Sequence, residues 1–92
     1  MSYSVILSGK KYKLPTKTLA VGEKLEHFAA LPKMYDKKEV TLEQIVQEQF
    51  DFIRESIGEE QTAVIVGGGS IYEADIDEIT FTVLAIVKAY TE

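Results

Sequence analysis

Between Leu14 and Thr16 the spacing of apolar residues changes from two to about three and a half, and this switch constrains the fold more than any other feature. Before it, Tyr3, Val5 and Leu7 alternate with Ser2, Ser4 and Ile6. Ser8-Gly9-Lys10-Lys11 offers a turn, and Tyr12-Lys13-Leu14 resumes the alternation up to Pro15. Period two is the signature of a strand with one covered face, so residues 2–14 read as a β-hairpin. A two-stranded hairpin is barely stable alone in water. Val5, Leu7, Tyr12 and Leu14 therefore need helices to cover them.

Beyond the switch, Leu19, Val21, Leu25, Phe28 and Ala29 form an apolar stripe at helical spacing. They predict a helix over about 17–31 that ends before Pro32. Residues 32–40 have no clear period and several charges, which suits an exposed, mobile connection carrying Met34 and Tyr35. Thr41-Leu42-Glu43-Gln44 has the form of a capping box, in which the Thr41 hydroxyl accepts from the Gln44 amide and the Gln44 side chain accepts from the Thr41 amide. A second helix over 42–57 follows from Leu42, Ile45, Val46, Gln49, Phe52, Ile53 and Ile57, with Gly58 placed to end it.

Segment 59–66 reads two ways. Its acidic start suits a helix N-terminus, whereas Thr62-Ala63-Val64-Ile65-Val66 is strand-like by propensity. A short helix ending at Gly67 is the favoured reading, with a strand as the alternative. Ile76, Ile79, Val83, Ile86, Val87 and Tyr90 place the last helix at about 77–91. The expected fold is α+β: an N-terminal β-hairpin packed on a small bundle of three to four helices, in a single domain over 1–92.

A chain of 92 residues can bury roughly 60 to 70% of its unfolded surface, enough for one core but not for a core and an enclosed catalytic cleft. The absence of Cys and the single His27 exclude thiolate zinc sites, disulfides and multi-histidine metal sites. The first residues lack a basic lead with a long apolar run, and no apolar run approaches the ~20 residues that span a bilayer, so a cytoplasmic location is expected without membrane association. The net charge of -5 is unevenly spread. Residues 1–38 hold eight lysines and three acids, while 39–92 hold Arg54 and Lys88 against twelve acids. The overall sign argues against nucleic-acid binding. The segregation reads either as complementarity to a partner or a second copy, or as two solvated faces.

No motif carries recognisable chemistry, so no cofactor and no enzymatic activity are expected. Val64-Ile65-Val66-Gly67-Gly68-Gly69-Ser70 begins like a phosphate-cradling loop, but a dinucleotide fingerprint needs Gly where Tyr72 stands, and no Lys follows before Lys88. Glu73, Asp75, Asp77 and Glu78 would also repel a phosphate there. A linker or helix stop is the better reading, and a phosphate or small-ligand module at 67–70 is the alternative. A calcium loop starting at Asp75 would put Ile79, Thr80 and Ile86 at a ligand, the central glycine and the closing glutamate, so Asp is read as a helix N-cap instead. His27 sits four residues after Glu23, within reach of an ion pair, with no nucleophile pattern beside it. Glu59 and Glu60 lie where a helix start would put them. Among the aromatics, Phe50 and Phe81 fall off the main faces of their helices, which reads either as apolar surface left for a partner or as a two-sided core. Met34, Tyr35, Phe50 and Phe81 are therefore the candidate partner-binding residues.

The succession of Tyr3-Ser4-Val5-Ile6-Leu7-Ser8-Gly9-Lys10-Lys11-Tyr12-Lys13-Leu14-Pro15, two helices, Ile57-Gly58-Glu59-Glu60, a glycine-rich break, and Ile76-Asp77-Glu78-Ile79-Thr80 through Ala89-Tyr90 resembles the tail assembly chaperones of long-tailed bacteriophages and prophages. The resemblance covers nearly the whole chain and rests on structural phrases rather than a catalytic signature. It implies a small α+β protein that coats the aggregation-prone tape measure protein and helps bring tail tube protein subunits to it. It also implies self-association, a longer frameshifted product beside the short one, and absence from the mature virion. A host regulatory adaptor sharing the fold is a further alternative.

Overall fold

The computed structural model describes residues 2–92. Strands β1 (Ser4–Leu7) and β2 (Lys10–Lys13) pair antiparallel, Val5 opposite Tyr12 and Leu7 opposite Lys10. Ser8 and Gly9 both take positive φ, 51° and 77°, as a two-residue hairpin turn matching strand twist requires. Four helices follow: α1 (Leu19–Asp36), α2 (Leu42–Ile57), α3 (Glu59–Val66) and α4 (Ile76–Thr91). The architecture is the α+β hairpin and helices that the change of period predicts.

Helix α2 is the centre of the molecule. It packs on α3 and α4, and α4 in turn covers β1, so Val5 and Leu7 are buried. Ile53, Val66, Ile79 and Ile86 are fully buried where these elements meet, with Phe50, Phe52, Val83 and Tyr90 around them. The capping box at Thr41 forms as its spacing predicts: the Gln44 amide donates to Thr41 Oγ1 at 3.1 Å and the Thr41 amide to Gln44 Oε1 at 2.7 Å. Segment 59–66 is a helix. Burial of Thr62 and Val66 overrides their strand propensity, and the Thr62 hydroxyl donates to the Gly58 carbonyl at 2.7 Å.

Helix α1 corrects the expected boundary at Pro32, which lies inside it. Proline removes only the bond to the Phe28 carbonyl, and buried Leu31 with half-buried Met34 hold the last turn in place. Residues 32–36 are thus helical rather than a mobile connection. What ends α1 is a Schellman motif: the Glu39 amide donates to the Met34 carbonyl at 2.9 Å and the Lys38 amide to the Tyr35 carbonyl at 3.0 Å, with Lys38 at φ 61°. The helix is otherwise lightly attached. Among its residues only Leu31 is buried, while Val21, Leu25 and Phe28 are partly covered by the core.

Tyr90 ties the end of α4 to the segment after the hairpin, its hydroxyl donating to the Pro15 carbonyl at 2.8 Å. Burial raises this phenol above its ordinary value of 10.0. Because the folded chain keeps the proton to higher pH than the unfolded chain, the contribution is complete below pH 10.0 and is lost as pH rises through the raised folded value. Melting temperature should therefore fall above that pH, and a Tyr90→Phe variant should show a shallower alkaline decline in the same scan. An equal decline would place the alkaline weakness elsewhere.

Candidate functional site

An apolar groove of about 320 Å³ lies where α1, α2 and α4 meet. Leu25, Phe28 and Leu31 form its α1 wall, Ile45 and Gln49 come from α2, and Val83, Leu84 and Val87 come from α4. The groove exists because α1 sits off the bundle, held by few side chains. The Phe28 ring meets Phe52 edge-on at 5.0 Å, and on the outer side His27 Nε2 stands 2.7 Å from Glu48 Oε2 and Lys24 Nζ 3.7 Å from Glu55 Oε2. The partner of His27 is thus Glu48 on α2 rather than Glu23 on its own helix.

On α4, Ile79, Val83, Ile86 and Tyr90 form the buried stripe, and Phe81 and Leu84 stand on the other side, 65% and 57% exposed. Two large apolar side chains three residues apart lie on the same helix face. Leu84 also lines the groove, so an apolar surface runs from the groove floor over the rim toward Phe81. No groove-lining side chain ionises near neutral pH. The surface can bind apolar groups, but it supplies no proton donor or acceptor for acid–base chemistry. Gln49 brings the main polar exception, and its side-chain oxygen is buried without a hydrogen-bond partner among the described residues.

The sequence-derived candidates separate into three groups. Phe81 is exposed as expected. Tyr35 is 48% exposed and Met34 half-buried at the end of α1, one turn past the groove wall, beside a shallow surface formed with Lys38, Val40 and Thr41. Phe50 is a correction: it is 2% exposed, in the core, with the Arg54 guanidinium 5.3 Å from its ring. Helix α2 is covered on more than one side, so a residue off its main stripe still meets a neighbour, as the two-sided-core reading expects. Leu84 and the α1 wall were missed, although Leu84 stands three residues from Phe81 on the same helix.

The glycine-rich loop is a closed turn between α3 and α4. Gly67, in the left-handed region, ends α3, and the amides of Glu73 and Ala74 both donate to the Ser70 carbonyl. The Asp75 amide donates to the Val66 carbonyl at 2.9 Å, closing the loop. Asp75 caps α4 with its own carboxylate, accepting from the amides of Asp77 and Glu78 at 2.8 and 3.3 Å. Two of the amides that a phosphate would use at this helix start are therefore already taken, as the N-cap reading of Asp75 predicts. Tyr72 extends from the loop and donates its hydroxyl to Glu43 on α2, and that bond with the carboxylate's charge raises the phenol above its ordinary value.

Among the described residues no cluster of His, Cys, Asp or Glu could hold a metal ion, and no helix is long and apolar enough to cross a membrane. No protein-family model, curated protein sequence or solved structure matches the chain.

Proposed function

We propose that this protein is a non-enzymatic assembly chaperone of a long-tailed phage or prophage, which binds the tape measure protein and assists assembly of the tail tube around it. One observation supports the binding half of this reading above the others: the apolar surface that runs from the α1–α2–α4 groove over Leu84 to Phe81. Covering a large exposed apolar side chain is worth about 1.5–3 kcal/mol, so a client that buries both gains substantially from hydrophobic contact alone. The phage assignment comes from the sequence resemblance, and the groove supplies a surface suited to an aggregation-prone client.

Co-expression with the tape measure protein of the same genome tests the reading. The wild-type protein should carry the client into the soluble fraction and co-purify with it. A Phe81→Asp/Leu84→Asp double variant should remain folded and lose most of that yield, since both side chains are exposed and their replacement costs little stability, about 0.5 kcal/mol each. Failure of the wild type to associate at low and moderate salt would overturn the assignment. Association unaffected by the double variant would place the binding surface elsewhere.

A further inference from the structure

The hairpin carries a second, chemically different surface, unconnected with the groove. In an antiparallel ladder, hydrogen-bonded pairs alternate with non-bonded ones. The Leu14 amide donates to the Tyr3 carbonyl at 2.9 Å, so in this register Val5 with Tyr12 and Leu7 with Lys10 are the bonded pairs. The backbone N–H and C=O groups of Lys11 and Lys13 therefore point away from β1, and no backbone hydrogen bond beyond the strands takes them among the described residues. Tyr12 turns inward, its hydroxyl donating to Gln61 Oε1 at 3.4 Å, which leaves Lys11 and Lys13 on the outer face with Ile6, 70% exposed. Residues 2–17 hold four lysines and no acid. Among the described residues none of the four forms an ion pair; Lys10 and Lys17 instead lie over the rings of Tyr12 and Tyr3, at 5.4 and 5.9 Å.

We propose that the open edge of β2 accepts an extended acidic polypeptide segment as a third strand, with acidic side chains at alternate positions facing Lys11 and Lys13. The backbone edge supplies hydrogen bonds for strand addition, and the lysines select the charge of the strand that uses them. Edge lysines are a common defence against strand pairing between identical copies, because like charges oppose each other. That repulsion excludes a second β2 edge as the occupant and is reversed for an acidic strand. A nucleic acid fits less well, since its continuous charge would extend onto a remainder of the chain that holds twelve acids in 39–92.

The test is an amide NMR titration of the full chain with three probes: a short peptide alternating glutamate with valine, the same peptide with glutamine for glutamate, and an oligothymidylate of equal charge. The glutamate peptide should shift the Lys11 and Lys13 amides and bind roughly tenfold tighter than the glutamine peptide, as two cross-strand charge pairs would give. Lys11→Glu/Lys13→Glu should invert the preference toward a lysine–valine peptide, and Lys11→Gln/Lys13→Gln should abolish the charge discrimination. Retained Tyr12 and Leu14 amide shifts would verify that each variant keeps its hairpin. Equal binding of the glutamate and glutamine peptides, shifts confined to other residues, no shifts at all, or tighter binding of the oligothymidylate would each overturn the proposal.

Discussion

Phe50→Asp will abolish cooperative folding, whereas Phe81→Asp will leave the melting curve nearly unchanged. Truncating a buried Phe costs about 3–5 kcal/mol, and placing an unpaired carboxylate in the same site adds several more. Against a total stability of about 5–15 kcal/mol for a natural domain, such a loss leaves little or no folded protein. Arg54, whose guanidinium is 5.3 Å from the Phe50 ring and already 2.6 Å from Asp51 Oδ1, offsets only part of that cost. Phe81 is 65% exposed, and its replacement disturbs no core contact of comparable weight. Circular dichroism melts of the two variants check the contrast. A cooperative transition for Phe50→Asp near the wild-type temperature would contradict the burial of Phe50 in the core.

Gly68→Ala should lower the melting temperature by roughly 10 °C, from an overpacking cost of about 1–3 kcal/mol at about 4–8 °C per kcal/mol. A Cβ at this position would lie 2.7 Å from the Glu73 carbonyl carbon and 2.8 Å from both the Ala74 nitrogen and Glu73 Cβ. Two of those three atoms are backbone, so no side-chain rotation relieves the clash. Relief would require opening the loop that the Asp75 amide closes onto the Val66 carbonyl, disturbing the start of α4. Gly69→Ala is the control. Its Cβ meets nothing within 4 Å, so its melting temperature should stay close to wild type. Equal melting temperatures for the two variants would show that the loop is not closed as described.

The contrast between Phe50 and Phe81 also marks how far the sequence could be read. Local signals were legible wherever one short stretch decides the structure: the hairpin alternation, the capping box at Thr41 and Gln44, and the acidic cap at Asp75. Signals that depend on a distant neighbour were not. Pro32 reads as a terminator, but the burial of Leu31 carries α1 past it, and the Schellman turn that ends the helix uses Lys38 where glycine is customary. Segment 59–66 carried conflicting local preferences that only the burial of Thr62 and Val66 resolves. The groove was invisible in advance because its walls come from three helices, and its shape depends on how far α1 stands from α2. Phe81 was legible as a surplus aromatic, yet its neighbour Leu84 gains meaning only once Leu25 and Phe28 face it.

The most direct measurement is a methyl NMR titration of the protein with a soluble segment of the tape measure protein from its own genome. Binding through the groove predicts shifts concentrated at Leu25, Val83, Leu84 and Val87, with the exposed methyl groups of Ile6 and Val64 unchanged. Shifts centred on Ile6 or Val64, or none at all with a segment that co-purifies with the protein, would contradict the assignment of the groove as the client-binding surface.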